Sequence, residues 1–367
     1  MISYVVGRNF GHLSRCVPNV NYLRKKGKKV TVYSFGGVHR WLKSNFHNTK
    51  VKLRPCSKKK IETDYYRKLL LSDLIIHDWR EELKAIKMSR FRRRPIICGI
   101  YHSDLKIRKT DQPRAKVFKR EVLLKADKST DIFFHMTLKQ PDYIPRLQYT
   151  RYVPIPLIVR PVDQSPEKVK AKLGLEPYDR FILIQMGGGK GRLRYRFIHT
   201  WYKIIDQLKL DYKIVIASQI DSQNNYPFKN SRVVHAPLFS NGRDLIHAAE
   251  MVISKPGMGV LIDCIASKKP LLALPADTKE RQVKNNMLLD LIGSDICLLE
   301  EQMSAYDLEK KIKKVERNQQ LFQQAYDEIP TNGAEIIGKA LVMLNKKKIS
   351  DVRKLYPKLL ELTPFRV

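Results

Sequence analysis

Residues 251–286, MVISKPGMGVLIDCIASKKPLLALPADTKERQVKNN, alternate between apolar runs and polar or glycine-containing turns. The apolar run Met251–Ser254 predicts a strand, and the next five residues, KPGMG, predict a turn in which Gly257 and Gly259 expose backbone amides to a ligand. A helix, a buried strand, a polar loop and a second helix are predicted to follow. This order is typical of half a nucleotide-binding domain, where the positive end of a helix faces a phosphate.

Polar side chains follow this turn at fixed intervals, and their order resembles the donor site of the MurG-type sugar transferases of the GT-B fold. In that family a serine-x-x-glycine turn leads after six residues to an acidic side chain on the nucleotide ribose, and a later Gln-x-x-Asn contacts the sugar. The resemblance implies donor-binding roles for Ser254, Gly257, Asp263, Gln282 and Asn285. Asp263 replaces the family's glutamate. Glycine turns of this kind also occur in doubly wound domains that bind other phosphates or none.

A second glycine turn follows the apolar run Phe181–Met186. Residues 187–191, GGGKG, resemble the family's Gly-Gly-Ser-x-Gly loop beside the donor diphosphate, with a glycine in place of the serine. The resemblance implies diphosphate contacts by Gly187, Gly188 and Gly189. Lys190 either supplies positive charge there or is a solvated loop lysine. The spacing excludes a Walker A loop, since no Gly-Lys-Ser/Thr follows.

His12 follows the short apolar run Met1–Val6, at the point where a helical pattern begins. Carboxyl ends of parallel strands face the crevice of an α/β sheet, so an imidazole here is placed to take a proton from a hydroxyl or a water. The alternative is a histidine that caps the helix. The pair Gly11-His12 resembles the corresponding loop of MurG-type and other inverting GT-B transferases, which implies that His12 is the catalytic base.

The longer string Gly11-His12-x-x-Arg15-Cys16 is more similar to the nucleotide-sugar hydrolases of nonulosonic acid biosynthesis, which share this architecture and activate water. Hydrolysis of a nucleotide-sugar is therefore the alternative function. Two further predicted strands end in His77-Asp78 and in residues 102–104, His-Ser-Asp. Acceptor-side candidates are Arg15, Asp78, His102 and Asp104, and the alternative for the strand-end residues is an ordinary hydrogen-bonding loop role.

Positive charge is concentrated in the first part of the chain. The formal net charge is +34, and residues 1–160 carry 37 basic and 12 acidic side chains. Basic runs such as Lys58–Lys60, and Arg114–Lys128 with Val117, Phe118, Val122 and Leu124 at near-helical spacing, suit an anionic membrane surface. Simple solvation is the alternative. Nucleic acid is a less favoured partner, because no helix-turn-helix, RRM or zinc signature is present.

Composition also limits the cofactors and the location. No Asp-x-Asp motif occurs, so we expect no metal to hold the diphosphate and no other cofactor. The five cysteines are widely separated, which predicts reduced thiols instead of disulfides or a zinc site. The amino terminus lacks a signal-peptide pattern and no apolar run spans a bilayer. We expect a cytoplasmic protein, peripheral at the inner face of the membrane if the basic surface binds there.

Strand and helix patterns alternate through both halves, which predicts an α/β fold with parallel sheets. With the resemblance, this implies a GT-B fold of two Rossmann-like domains whose sheets face a cleft. Residues 1–160 are predicted to bind the hydroxyl acceptor and residues 163–345 the nucleotide-sugar, with a connector at 151–161. The resemblance implies that the terminal helical segment, 346–367, crosses back to pack on the first domain; the alternative is an ordinary surface helix. The predicted activity is inverting transfer from a UDP-sugar; the alternative from another class is a non-catalytic sugar-nucleotide or polyanion-binding protein.

Overall fold

The computed structural model describes residues 1–7, 10–46, 49–91, 93–187, 194–218 and 225–367, with only the backbone of Phe10 and Gly37. Within these ranges the chain forms two compact units. The first unit contains Met1–Arg160 and Ile329–Val367, and the second contains Pro161–Glu328. Each unit has one sheet in which every strand pair is parallel. The predicted α/β class with parallel sheets is confirmed.

The first unit has a seven-stranded sheet in the order β3-β2-β1-β4-β5-β6-β7. Its central strands are buried apolar runs, as expected for a sheet covered by helices on both faces. The strands are β1 (Ile2–Val5), β2 (Val30–Phe35), β3 (Lys52–Cys56), β4 (Leu74–Asp78), β5 (Ile96–His102), β6 (Ile132–Met136) and β7 (Arg151–Ile155).

Eight helices connect these strands or follow the second unit. Two short 3₁₀ turns accompany them, at Glu81–Leu83 and Ile349–Asp351. The helices are α1 (Phe10–Lys25), α2 (Gly36–Phe46), α3 (Lys58–Glu62), α4 (Tyr66–Leu70), α5 (Lys84–Lys87), α6 (Pro113–Ser129), α14 (Gly333–Leu344) and α15 (Val352–Glu361).

Two strands of this sheet, β3 and β7, escape the sequence patterns, and both lie at its edges. Each contains a proline, Pro55 in β3 and Pro154 in β7. Proline cannot donate a ladder hydrogen bond, so it is tolerated only where one side of a strand has no partner. The segment that the prolines predicted to be a connector, 151–161, therefore begins as an edge strand.

The second unit has a five-stranded sheet in the order β10-β9-β8-β11-β12. Its strands are β8 (Phe181–Gln185), β9 (Lys213–Ile216), β10 (Val233–His235), β11 (Met251–Ser254) and β12 (Leu271–Ala273). Its helices are α7 (Pro166–Leu173), α8 (Ile198–Asp206), α9 (Gly242–Ala248), α10 (Met258–Ser267), α11 (Lys279–Ile292), α12 (Ala305–Arg317) and α13 (Gln319–Asp327).

Two local predictions differ from the structure. The apolar pattern of Ile296–Leu299 predicts a strand, but Asp295–Cys297 is a 3₁₀ turn, capped by the Ser294 side chain, and Leu298 makes an isolated bridge to the sheet. The predicted second domain ran to residue 345, whereas α14 packs on α1 in the first unit. The terminal helix α15 lies in the first unit, as the resemblance implies, and there the Tyr356 hydroxyl donates to the Tyr152 carbonyl at 2.8 Å.

The four apolar residues predicted to lie along one face of α6 differ in their burial. Phe118 and Val122 are core residues, while Val117 and Leu124 are about half exposed. The lysines of α3, Lys58–Lys60, are exposed as expected for a charged run. Within the described ranges, no helix has the length and apolar character needed to cross a membrane.

Candidate active site

His12 lies in the first turn of α1, directly after β1 and its glycine. Its ring packs on Gly7, where an added Cβ would lie 2.5 Å from the ring Cδ2. Only glycine therefore lets the imidazole lie against the end of β1. The side chain is largely buried, with 9% of the residue exposed.

Arg15 and Asp78 meet at His12. The Arg15 Nη2 lies 2.8 Å from His12 Nδ1, and its Nε donates to Asp78 Oδ1 at 3.0 Å. Asp78 ends β4, the neighbour of β1, so the parallel register brings the two strand ends together. The same carboxylate lies 3.6 Å from His12 Nδ1 and accepts a hydrogen bond from the Tyr4 hydroxyl at 3.1 Å.

This carboxylate is charged although it is completely buried. Burial by itself raises the pKa of Asp78, but the Arg15 guanidinium and, to a smaller extent, the neighbouring His12 ring outweigh it, and the pKa falls below its usual range. The counter-charge comes from Arg15, which is 1% exposed. His12, Arg15 and Asp78 are thus one buried, charge-compensated network.

The contact with Arg15 fixes the tautomer of neutral His12. A guanidinium can only donate, so Nδ1 accepts and the ring proton lies on Nε2. A base that acts through Nε2 needs the other tautomer, with the Nδ1 proton donated to a carboxylate. Asp78 is the carboxylate in reach, and its 3.6 Å separation shows that the ring must shift from Arg15 toward Asp78 first.

The other acceptor-side candidates are not part of this network. Asp104 is an ion-pair partner of Arg108 and of the completely buried Lys119, whose Nζ lies 2.7 Å away. His102 is 5% exposed and packs beside the Trp79 ring, with centroids 5.8 Å apart. Asp104 therefore has a structural role as the counter-ion of a buried lysine.

In the second unit, Ser254 joins the ends of two strands. It is completely buried, and its hydroxyl lies 2.5 Å from the Gln185 carbonyl and 3.1 Å from that of Lys255. Gln185 is its neighbour across the β8–β11 pair. Ser254 thus holds the carboxyl edge of this sheet together, and this is its role in the structure.

The two glycine turns lie at this same edge. Gly257 is the N-cap of α10 with extended backbone, and Gly259 lies in the first turn of that helix. No side chain caps α10, so its first amides are available to an anion. Gly187 follows β8 with φ +75°, and the Lys255 side chain lies across it. Gly188, Gly189 and Lys190 lie outside the described residues.

Asp263 is half-buried on α10, near the Arg243 guanidinium of α9. Burial lowers the pKa of Arg243, and the Asp263 and Asp244 carboxylates oppose that change. Arg243 also donates to the Ala266 carbonyl at 2.9 Å, which fixes it against α10. The predicted ribose ligand thus has a cation beside it.

The amide pair of α11 is anchored at the same sheet edge. Asn285 is 7% exposed and donates through Nδ2 to the Leu274 carbonyl, at the end of β12, at 3.2 Å. Its Oδ1 and the Gln185 Oε1 are buried acceptors without a hydrogen-bond partner among the described residues. Gln282 donates to the Asn286 side chain at 3.2 Å. Buried polar atoms are normally paired, so two unpaired acceptors at one edge indicate a ligand site.

Two residues of the site were not singled out by sequence. Tyr4 is an inward-facing strand residue whose hydroxyl reaches Asp78, and an apolar strand pattern gives no sign of that contact. Lys255 stands in the quoted turn, but only the structure shows that its side chain crosses Gly187. Within the described part of the chain, no group of three or more His, Cys, Asp or Glu residues could hold a metal ion.

Comparison with known proteins supports the second unit most strongly. Residues 186–337 match the glycosyltransferase family 28 C-terminal domain. A curated relative, the UDP-N-acetylglucosamine--N-acetylmuramyl-(pentapeptide) pyrophosphoryl-undecaprenol N-acetylglucosamine transferase of Prochlorococcus marinus subsp. pastoris, is 32% identical over 138 residues. These are 36% of this chain and 37% of the relative. The enzyme of the same name from Clostridium kluyveri is 26% identical over 39% of this chain and 41% of its own. The chain thus matches well under half the length of these relatives.

Solved structures extend the likeness to the whole chain at the level of fold. Arabidopsis thaliana UGT89C1, complexed with UDP-L-rhamnose, superposes with a TM-score of 0.64 at 12% identity, covering 98% of each chain. The calicheamicin glycosyltransferase CalG4 gives 0.60 at 10% identity, covering 94% of this chain and 97% of its own. The chain therefore has the GT-B fold, its resemblance to the MurG-type transferases is confirmed, and residues 186–337 are similar to the glycosyltransferase family 28 C-terminal domain.

Proposed function

We propose that this protein is an inverting glycosyltransferase that moves a sugar from a UDP-sugar to a hydroxyl acceptor. The observation that carries the proposal is the family 28 domain at residues 186–337. At its sheet edge, α10 begins at Gly257 without a side-chain cap, and the buried Gln185 and Asn285 acceptors have no hydrogen-bond partner within the ranges that the structure describes. The relatives' names and the UDP-sugar bound to UGT89C1 support the choice of donor and a lipid-linked or cell-envelope acceptor.

The second unit holds the donor in this proposal. Asp263 binds the ribose hydroxyls, and Asn285 and Gln282 bind the sugar. The first amides of α10 and the backbone at Gly187 stabilise the diphosphate, whose negative charge grows as it leaves. We propose that no metal ion and no other cofactor takes part, since the sequence has no Asp-x-Asp motif to bind one.

The first unit supplies the base. The His12 ring proton first passes through solvent from Nε2 to Nδ1, and the Nδ1–H turns from Arg15 to donate to Asp78. Nε2 then accepts the proton of the acceptor hydroxyl. That oxygen attacks the anomeric carbon, the bond from this carbon to the diphosphate breaks, and the configuration inverts. Asp78 stabilises the imidazolium that forms, and Arg15 keeps Asp78 charged.

Hydrolysis is the second candidate function, and the contact between Arg15 and His12 favours it. Both residues belong to the hydrolase-like string, and the contact is present in the folded protein. With water in place of the acceptor hydroxyl, the same residues release the sugar and UDP. A binding protein without turnover is the third outcome.

The basic first unit suits an acceptor at an anionic surface, and we propose that the protein acts in the cytoplasm at the inner face of the membrane. Exposed Lys58–Lys60 and the exposed Val117 and Leu124 of α6 support this location. Each lysine near an anionic leaflet contributes roughly 1 kcal/mol of attraction.

The test is release of UDP from a panel of UDP-sugars, with and without a membrane extract as the source of acceptor. His12→Ala is the test variant, and His235→Ala, at an exposed position in β10, is the matched control. A transferase releases UDP only with extract, and His12→Ala abolishes the release. Release in buffer alone establishes the hydrolase, and binding without release establishes the non-catalytic protein.

A further inference from the structure

Lys255 occupies a position that no part of the sequence motif explains. It follows Ser254 at the carboxyl end of β11, and its side chain runs across Gly187 at the end of β8. A Cβ on residue 187 would overlap the Lys255 Cε and would lie 2.9 Å from its Nζ. The glycine turn therefore keeps a place open for this amine, beside the N-terminus of α10.

The charges around Lys255 leave it without a counter-ion. Arg281 and Glu280 on α11 and Asp277 before that helix are the charged groups that act on it. Asp277 is already the ion-pair partner of Arg281 and accepts from the Arg196 amide at 2.8 Å. Within the described residues, Nζ of Lys255 makes no hydrogen bond and no ion pair. Lys255 and Arg281 thus have nearby only Asp277, which is already engaged, and the exposed Glu280 among the charged groups that act on Lys255.

We propose that the ammonium group of Lys255 binds the diphosphate of the donor. The inference rests on the proposed function, because it names a residue of the same donor site. A diphosphate at Gly187 and the α10 amides supplies the negative charge that the Lys255 and Arg281 pair lacks. Asp277 orients Arg281, and Lys255 remains the mobile cation that reaches the ligand.

The protonation of Lys255 supports this assignment. Burial and, to a smaller extent, the charge of Arg281 lower the pKa of Lys255 to about 8, against the opposing effect of the Asp277 and Glu280 carboxylates. A bound diphosphate raises that pKa again, so donor binding takes up a proton at and above pH 8. Affinity is then highest below pH 8 and falls as the pH rises and the free amine loses its proton.

Calorimetric titration with UDP between pH 7.0 and 8.7 tests the inference. We expect wild-type affinity to fall by about fivefold over this range, as the pKa near 8 requires. Repeating the titration in two buffers of different ionisation enthalpy measures the proton uptake directly. Uridine, which has the same base and no phosphate, is the control ligand, and its affinity stays constant.

Two variants distinguish the effect of the positive charge at residue 255 from the effect of its loss at high pH. Lys255→Arg keeps the cation but stays charged, so UDP binds with no pH dependence beyond that of uridine. Lys255→Met binds UDP about tenfold more weakly at pH 7.0, as expected for a lost charge-assisted hydrogen bond, while its uridine affinity is unchanged. Unchanged uridine binding also shows that the variant is folded.

Each outcome is decisive. Wild-type UDP affinity that is constant with pH, or Lys255→Met that binds UDP like the wild type, overturns the inference and leaves the UDP donor site in place. If wild-type protein binds neither UDP nor uridine at any pH, the UDP donor of the proposed function is overturned as well.

Discussion

The carboxyl edges of the two sheets use buried polar groups in different ways. In the first unit, His12, Arg15 and Asp78 compensate one another, and Arg15 joins the other two directly. In the second unit, the Gln185 Oε1 and Asn285 Oδ1 acceptors have no hydrogen-bond partner among the described residues. Within that part of the chain the Lys255 ammonium is acted on by nearby charges and not by a hydrogen bond. In the first unit the buried charges are balanced before any ligand binds, although Arg15 Nη1 has no hydrogen-bond partner among the described residues. In the second unit a bound ligand would supply the missing partners. This difference supports the proposal that the first edge carries the catalytic base and the second binds the donor.

Breaking the compensated network has the largest expected effect on stability. Asp78→Asn leaves the Arg15 guanidinium buried without its counter-charge, which costs about 3–5 kcal/mol of unfolding free energy. Urea unfolding measures the loss. Asp73→Asn is the control, because Asp73 pairs with the exposed amino terminus and its side chain is 34% exposed. A loss at Asp78 no larger than that at Asp73 would contradict the network.

The unfolding free energies of the wild type and of Asp78→Asn should depend differently on pH. The folded pKa of Asp78 lies below its unfolded value, so its contribution is fully present above about pH 4 and is lost as pH falls through the folded pKa. The Asn variant lacks this part of the acid dependence. We expect the stability difference between wild type and Asp78→Asn to narrow below pH 4 in urea titrations. A difference that stays constant there would show that the charge of Asp78 is not the cause.

The glycine turn of the second edge can be tested against another left-handed glycine. Gly187→Ala and Gly174→Ala both force a side chain into positive φ, near +75° and +69°, at a cost of about 1 kcal/mol each. Nothing lies within 4 Å of a Cβ at Gly174, but at Gly187 it would displace Lys255. We expect Gly187→Ala to weaken UDP binding by about tenfold or more and Gly174→Ala to leave it unchanged. Equal losses of UDP affinity in the two variants would show that Lys255 does not contribute to UDP binding.

A smaller effect is expected at Asp263. Asp263→Ala removes one charged ligand of the ribose and should raise the KM for the UDP-sugar by about tenfold, with kcat little changed. The measurement compares UDP-sugar with its 2′-deoxyribose analogue, which loses the same contact. If the variant still discriminates between the two donors as the wild type does, Asp263 does not bind the ribose.

The smallest effect concerns the basic surface. Lys59→Gln removes one exposed charge and should weaken binding to vesicles that contain anionic lipid by about fivefold, or about 1 kcal/mol. Vesicle sedimentation measures it, and neutral vesicles are the control. Solvation alone predicts that the wild type does not sediment with either kind of vesicle.

Sequence patterns located the central strands and the turns that follow them, because buried parallel strands are continuous apolar runs such as Leu74–His77. They failed at the edges, where Pro55 and Pro154 are compatible with a strand only because one side has no partner. Sequence patterns also do not predict the order of strands in the sheet. His12 and Asp78 are distant in sequence and meet only because β1 pairs with β4.

The side-chain roles show the same division. Ser254 was predicted from the resemblance of its turn and Asp104 from its position at a strand end. In the structure Ser254 joins two strands and Asp104 neutralises Lys119. Spacing places a residue at an edge, but which neighbour it contacts depends on packing across elements. The same reason explains why the role of Lys255 emerged only from its contact with Gly187.

The proposed separation of catalysis in the first unit from donor binding in the second is tested most directly by one measurement. UDP-sugar binding and single-turnover rate are determined together for His12→Ala and Asn285→Ala. The account predicts that His12→Ala loses about a hundredfold or more in rate with donor affinity within twofold of wild type, while Asn285→Ala loses mainly donor affinity. Loss of donor affinity in His12→Ala as large as its loss of rate would contradict the account.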